Sequence, residues 1–408
     1  MKGIRKQSFL LINSGICITA AIVAFSAVMM LQRSDFGPHI RTSITRAETG
    51  VGLFRNLFQD LVAFAINSFH ADPKLLAAFV TGFLELLFVA AVIFVLSKWL
   101  PQNRSKVMHV LSVCCVVFAS APYYFVEGTF YRGISGINTW HNPTSFAVKP
   151  FIVLSFFLIV VLIEHMSTAA ANGAIATDKA SKKHILLLLI ALTVALYLMT
   201  YGKISGLTVI APATMVFVFC WWMKSKFSIT RLRFSLLIAA TFIPALILFF
   251  SLLLFRYFPS GGASQAVFNG GANLLSSSGT TILLRTVWIL MLPIFITLTR
   301  IKSILHNKGF VLAWLTYFFA FVVRNMFEET GPRSSHGNNS WGRHYALVLL
   351  LIVSVTEINK MWHDLKTAET RSAKDTAVFV ISIILMLFYL ISGLLYIINF
   401  LYNGNYRI

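Results

Sequence analysis

Residues 75–100 read LLAAFVTGFLELLFVAAVIFVLSKWL. The stretch carries one carboxylate, Glu85, and one basic residue, Lys98, close to its end. About 20 apolar residues at 1.5 Å rise cross a hydrocarbon core about 30 Å thick, so this run reads as a membrane-spanning helix. Inside such a core every backbone group must bond within the chain, which favours helix over open strand.

The same reading repeats on both sides of it. Upstream, MKGIRK precedes an apolar run over 9–31. The basic start is signal-like, but the run is too long and no small-residue cleavage site precedes Arg33, so it reads as the first span. Downstream, spans are expected near 106–126, 149–166, 184–201, 205–223, 234–255, 285–300, 309–326, 345–361 and 377–401. That makes about eleven spans in one integral membrane domain, 1–408, an all-α polytopic transmembrane helical bundle. The spans over 184–201 and 205–223 form a tight hairpin turned at Gly202-Lys203-Ile204-Ser205-Gly206.

Composition agrees. Of 408 residues, 57% are hydrophobic and 12% charged, where a soluble chain carries about 25% charged residues. This excludes a soluble enzyme, a disordered tail and a disulfide scaffold. Cys17, Cys114, Cys115 and Cys220 lie in apolar stretches without CxxC or Cys/His metal spacing.

There are 34 Lys and Arg against 14 Asp and Glu. Basic loops set topology and meet anionic lipid, so no nucleic-acid partner is expected. With the N-terminus in the cytoplasm, short inward loops such as PQNRSK, KSKFSITRLR and KTAETRSAKD each hold several basic residues. The long outward loops are then 33–74, 127–148, 256–284 and 327–344, and they hold most of the unusual residues.

In the first outward loop, Asp35 follows the first span and His39 lies four residues on, with Pro38 expected to break a continued helix. Asp35 reads either as a solvated carboxylate or as a reactive one. Val51, Phe54, Leu57, Phe58, Leu61 and Ala65 recur near helical spacing, with Arg55, Asn56, Gln59 and Asp60 on other faces. An amphipathic helix in the outer interface is expected there.

The second outward loop holds Trp140, His141 and Asn142. Trp offers a flat face to a sugar ring, and His and Asn bond hydroxyls; an interfacial Trp anchor beside a polar turn is the alternative. Lys203 in the hairpin turn reads as a snorkelling lysine or as a cation for a lipid phosphate. The loop over 256–284 is rich in Gly, Ser and Asn without phosphate-loop spacing, and reads as a mobile lid. The last loop packs Arg324, Glu328, Glu329, Arg333, His336, Asn338, Trp341, Arg343 and His344 together. Its arginines suit a phosphate or diphosphate, with the glutamates in balance.

Walker A, GxSxG and HExxH strings are absent from the sequence. Carboxylates within spans are Glu85, Glu164 and Glu357. A coupled transporter keeps ionisable groups at mid-membrane, and of these three Glu85 alone is a candidate.

A short first span, an acidic residue in the first outward loop, an interfacial helix and then many spans resemble the GT-C superfamily of glycosyltransferases that use polyprenyl-phosphate sugars. The carrying residues are Ser34-Asp35-Phe36 with His39-Ile40, supported by Trp140-His141-Asn142-Pro143-Thr144 and by Glu329-Thr330-Gly331-Pro332-Arg333 with His336-Gly337-Asn338. The latter two strings resemble outward-loop motifs of bacterial envelope membrane proteins. Many members pair two acids where this chain has Asp35-Phe36.

The resemblance implies a transferase of the bacterial inner membrane, active at its extracytoplasmic face, in envelope polysaccharide or glycolipid assembly. Its partners are membrane lipid, a polyprenyl-phosphate-linked sugar and a saccharide acceptor. Asp35 acts as base or orients the acceptor, with His39 beside it. Arg324, Arg333, Arg343 or Lys203 neutralises the departing phosphate, and Trp140, His141 and Trp341 hold sugar rings. Some members bind a divalent metal through paired acids; this sequence shows no clear ligand set, and no cofactor is expected. The alternatives are an O-antigen or capsule repeat-unit polymerase or ligase using lipid-diphosphate sugars, and a lipid-linked saccharide transporter.

Overall fold

The computed structural model describes residues 2–30, 36–100, 105–120, 142–171, 179–257, 266–271, 279–329, 341–370 and 372–403. They are almost entirely helical. In chain order the helices are α1 (Lys2–Met30), α2 (Phe36–Thr49), α3 (Leu57–Phe69), α4 (Pro73–Trp99), α5 (Lys106–Phe118), α6 (Pro143–Ala171), α7 (Lys179–Gly202), α8 (Leu207–Met223), α9 (Ile229–Ala240) and α10 (Ile243–Tyr257). They continue as α11 (Gly279–Ile289), α12 (Met291–Thr299), α13 (Ile301–His306), α14 (Lys308–Met326), α15 (Trp341–Thr367) and α16 (Ala373–Asn403).

Among the described residues 9 spans are long and apolar enough to cross a membrane, and up to 10 if the bent pair α11–α12 is one span. The chain is a multi-pass membrane protein. α9 and α10 together make a single span, Ile229–Leu254. α11 and α12 bend by 68°. The break leaves carbonyls without helical donors, and the Tyr389 hydroxyl of α16 donates to Ile289 O there.

The expected span at 106–126 differs. α5 is 13 residues, about 20 Å at 1.5 Å per residue, short of a hydrocarbon core. Its start is tied to other helices by polar contacts: His109 Nε2 lies 3.2 Å from Asn13 Oδ1 of α1, and Asn359 Nδ2 of α15 donates to Ser112 Oγ at 2.7 Å. Its far end meets the last helix. Ser120 N donates to Tyr389 O at 3.3 Å, and a Cβ on Gly393 would collide with Phe118 O. By Asn142 the chain stands at the other end of the bundle, where α6 begins beside α15: Ser145 Oγ and the Tyr345 hydroxyl are 3.4 Å apart.

The first outward loop also differs. Two helices lie there, where one was expected. Pro38 sits in the first turn of α2, where a missing N–H costs nothing. A turn follows, with Phe54 at φ 64. α3 then starts after Asn56, whose side chain accepts from Gln59 N at 3.2 Å. Phe58, Val62 and Ala63 of α3 are buried, as is Phe36 of α2, so these helices are docked on the bundle.

The expected lid carries a strand. β1 (Ala266–Phe268) pairs antiparallel with β2 (Phe327–Glu329), with Phe268 opposite Phe327 and their rings 5.5 Å apart. This ribbon ties the 256–284 connection to the end of α14.

The interior is a continuous apolar core built on α4, α6 and α15. Among the described residues an ion pair with both partners fully buried lies inside it. Lys149 of α6 approaches Glu85 of α4 at 3.7 Å, with its ammonium 4.9 Å from the Phe146 ring centroid and 5.2 Å from that of Phe88. Burying a charged group this deeply requires a partner, and the two aromatic faces complete the cation's surroundings.

Candidate functional site

At the end where α6 and α15 begin, polar side chains from several elements converge. The hairpin is the hub. α7 ends at Gly202, a 3₁₀ turn covers Ile204–Gly206, and α8 begins at Leu207, as the spacing of the two glycines predicts. At Gly202 a Cβ would come within 3.0 Å of Ala147 O, so glycine lets the turn lie directly on α6. Asn56 Nδ2 of α3 donates to Gly202 O at 2.9 Å and fixes the turn from the other side.

Lys203, extended at φ −167, projects from this turn. Its Nζ stands 3.9 Å from the ring centroid of Trp341 in the first turn of α15. An ammonium this close to an indole face is attracted by the ring quadrupole. The Trp341 ring is also 5.4 Å from that of His344, one helical turn on.

Beside the hairpin, α2 and α3 supply a second group. Arg46 Nη1 donates to Asp60 Oδ1 at 2.6 Å, and the Tyr201 hydroxyl donates to the other oxygen of the same carboxylate. Gln59 Nε2 donates to His39 Nδ1 at 2.7 Å, leaving the His39 proton on Nε2. The His39 ring stands edge-on to Phe58 at 6.4 Å. Burial, then the charges of Lys203 and Arg46, push the His39 imidazole down to about 4. At neutral pH it is uncharged and serves as a hydrogen-bond donor, a poor match for a general base.

Behind Trp341, Arg343 is buried and lies within electrostatic reach of Arg324 at the end of α14 and of Tyr317. Among the described residues Lys203, Arg46, Arg324 and Arg343 set four cations at this end, with Asp60 paired to Arg46 and with Glu328 and Glu329 on the strand that follows Arg324. Such an excess of fixed positive charge beside apolar rings suits an anion with an apolar body.

The structure rearranges several of the expected site residues. Trp341, Arg343 and His344 were expected in a loop; they lie on the first turns of α15, because the buried stripe through Trp341, Tyr345 and Val348 begins there. Asn142 caps α6: its Oδ1 accepts from Ser145 N at 3.1 Å and from Thr144 Oγ1 at 2.7 Å. Its described role is to start the helix. Glu328 and Glu329 lie on β2, with the Glu328 side chain exposed. Asp35, Trp140, His141, Arg333, His336 and Asn338 lie outside the described residues.

Asp60, Arg46, Gln59 and Tyr201 were not among the expected site residues. The signal was present, since Asn56, Gln59 and Asp60 share one face of α3 at i, i+3 and i+4. That face reads as solvated until the hairpin is placed against it. Among the described residues no group of three His, Cys, Asp or Glu side chains is arranged to hold a metal ion.

No protein-family model matches the chain, and none of the curated proteins matches it in sequence. Among solved structures, it is similar to the crystal structure of ArnT from Cupriavidus metallidurans bound to undecaprenyl phosphate. The likeness covers 97% of this chain and 76% of that one, at 12% identity and a TM-score of 0.47. It is a likeness of overall helical layout.

Proposed function

We propose that the protein is a membrane glycosyltransferase that takes its sugar from a polyprenyl-phosphate donor at the hairpin end of the bundle. The observation that carries this reading is Lys203, seated on Trp341 at an end where Arg46, Arg324 and Arg343 also lie. In the proposed reaction an acceptor hydroxyl attacks the anomeric carbon. The bond from that carbon to the phosphate oxygen breaks, and the phosphate departs with the electron pair. Lys203, Arg324 and Arg343 stabilise the charge that develops on it, and their positions are set before the reaction begins. Asp35 takes the acceptor proton. His39, neutral with its proton on Nε2, donates a hydrogen bond to the sugar or the phosphate. Trp341 gives one face to Lys203 and its edge to the sugar.

The positive-inside pattern supports placing this end outside the cytoplasm of a bacterial inner membrane, where lipid-linked sugars are consumed in envelope assembly. The test uses membrane vesicles and a radiolabelled polyprenyl-phosphate monosaccharide. Transfer is expected from the wild type and lost in Asp35→Asn. In Lys203→Met it should drop about 100-fold, the scale for removing one charged stabilising group from a transition state. Wild-type vesicles that ignore this donor and instead extend a lipid-diphosphate repeat unit would replace the reading with a polymerase. Inactivity toward both donors, with the protein inserted, would replace it with transport.

A further inference from the structure

Two histidines meet at the end of the bundle away from the hairpin. α6 begins at the hairpin end and α7 finishes there, and the two helices pack against each other. The last turns of α6 and the first turns of α7 therefore lie together at the opposite end. There His165 of α6 and His184 of α7 stand with their ring centres 5.4 Å apart and their planes tilted by 43°. Both side chains are exposed. Neither belongs to the site at the hairpin.

The bonding of His165 decides which of its nitrogens is available. Nδ1 lies 3.1 Å from Val161 O. A carbonyl only accepts, so Nδ1 carries the proton and Nε2 keeps its lone pair. Metal-binding histidines are held in this way: the second ring N–H donates to a backbone carbonyl, which fixes the tautomer and the ring. Among the described residues His184 makes no hydrogen bond, so its ring is not committed elsewhere. His306 of α13 also donates from Nδ1, to Lys302 O at 2.8 Å, but the described residues pair it with no other histidine. The spacing of the pair is equally specific. Zinc lies about 2.0–2.1 Å from an imidazole nitrogen, so two rings sharing one tetrahedral ion have centres about 5.2 Å apart. The observed 5.4 Å meets that requirement. Rotation about χ2 of His184 aims a nitrogen at the point that His165 Nε2 faces, and leaves the ring centre where it is.

We infer that His165 and His184 together bind one divalent transition-metal ion of the zinc, copper or nickel class. His165 ligates through Nε2 and His184 through one ring nitrogen, and water completes the shell. Imidazole nitrogen suits these ions, while magnesium and calcium call for oxygen. The exposed Lys182 and Lys183 precede His184 on α7, and the exposed Glu164 precedes His165 on α6. The two lysines oppose a dication weakly, because their charges are screened in water. The bound ion fastens the end of α6 to the start of α7. An ion that binds the folded chain and not the unfolded one stabilises the fold by mass action. The inference is independent of the proposed transferase activity, because it concerns the other end of the bundle.

The test uses the full chain, purified in detergent without a polyhistidine tag and stripped with a chelator. Zinc and magnesium are titrated separately by calorimetry. One zinc ion per chain is expected, with affinity about tenfold lower in His165→Gln and in His184→Gln. Zinc should raise the melting temperature of the wild type and of neither variant. His184→Cys, which keeps a ligand for zinc, should restore binding. His306→Gln should bind as the wild type does. Loaded with cupric ion, the wild type should show spin-resonance hyperfine coupling to two nitrogens, and each glutamine variant to one. Both positions are exposed, so the variants should melt like the wild type when metal-free. Zinc affinity that survives either glutamine substitution overturns the inference. So does coupling to a single nitrogen in the wild type, or magnesium binding as tight as that of zinc.

Discussion

His39 shows how position decides what a residue can do. A histidine near the reactive end of a membrane enzyme invites a general-base role, yet its Nδ1 already accepts from Gln59 and two cations lie near its ring. The folded chain resists protonating it until about pH 4, while the unfolded chain protonates near 6.5. Between those values the unfolded state binds the extra proton, so this residue's contribution to stability falls as pH drops from 6.5 toward 4. Melting the wild type and His39→Gln at pH 7.5 and pH 5 should show the wild type losing ground to the variant at the lower pH. The rate of transfer should show no imidazole step near pH 6.5. Lys203 is the complementary case. Its ammonium lies against the face of Trp341 at the hairpin end, and its replacement by Met is expected to affect turnover more than stability.

At the scale of helices, the informative feature is what each one must bury. α4 and α6 bury Glu85 and Lys149 together. Removing one partner leaves an uncompensated charge in the core, which costs about 3–5 kcal/mol, while removing both does not. Glu85→Leu and Lys149→Met should each lower the melting temperature in detergent sharply, and the double variant should recover most of the loss. A recovery confined to the double variant is the signature of a pair, since independent sites would add. α16 presents a different constraint. Gly393 faces the carbonyl end of α5 with no room for a side chain. Gly393→Leu should destabilise the protein more than Gly202→Ala, where the Cβ meets its neighbour at 3.0 Å and small shifts absorb it.

For the molecule as a whole, the spans were legible and the site was legible only in outline. Runs such as 75–100 announce themselves because the membrane imposes one length and one composition on every crossing. The hairpin at Gly202–Gly206 was readable for a similar local reason, two glycines bracketing a lysine between apolar runs. α5 was not, because its apolar run continues past Phe118 while its helix stops against the last span. The start of α15 was missed because Arg343 and His344 look like loop residues until Arg324 and Trp341 are placed beside them. Arg46, Asp60 and Tyr201 come from three helices, and Asp60 and Tyr201 are 141 residues apart in sequence. Such a meeting has no one-dimensional signature. A polar stripe on a short helix looks the same whether it faces water or a neighbouring turn.

The short helix α5 has a bearing on how the protein is made. Its last turn rests on α16, and at about 5–20 residues per second roughly 15–55 s separate the synthesis of the two. During that interval α5 is an undersized segment whose docking surface does not yet exist, so its retention in the bilayer depends on Asn13 and on the helices already inserted. Cys115 reports the moment of closure. It is buried in the complete chain, with its Sγ 3.9 Å from Met386 O. In a variant with Cys115 as its sole cysteine, a maleimide should react slowly with the full-length chain and readily with a nascent chain arrested before Ala373. Docking of α5 would then be completed as a clasp closes, with a later-made helix securing one made well before it.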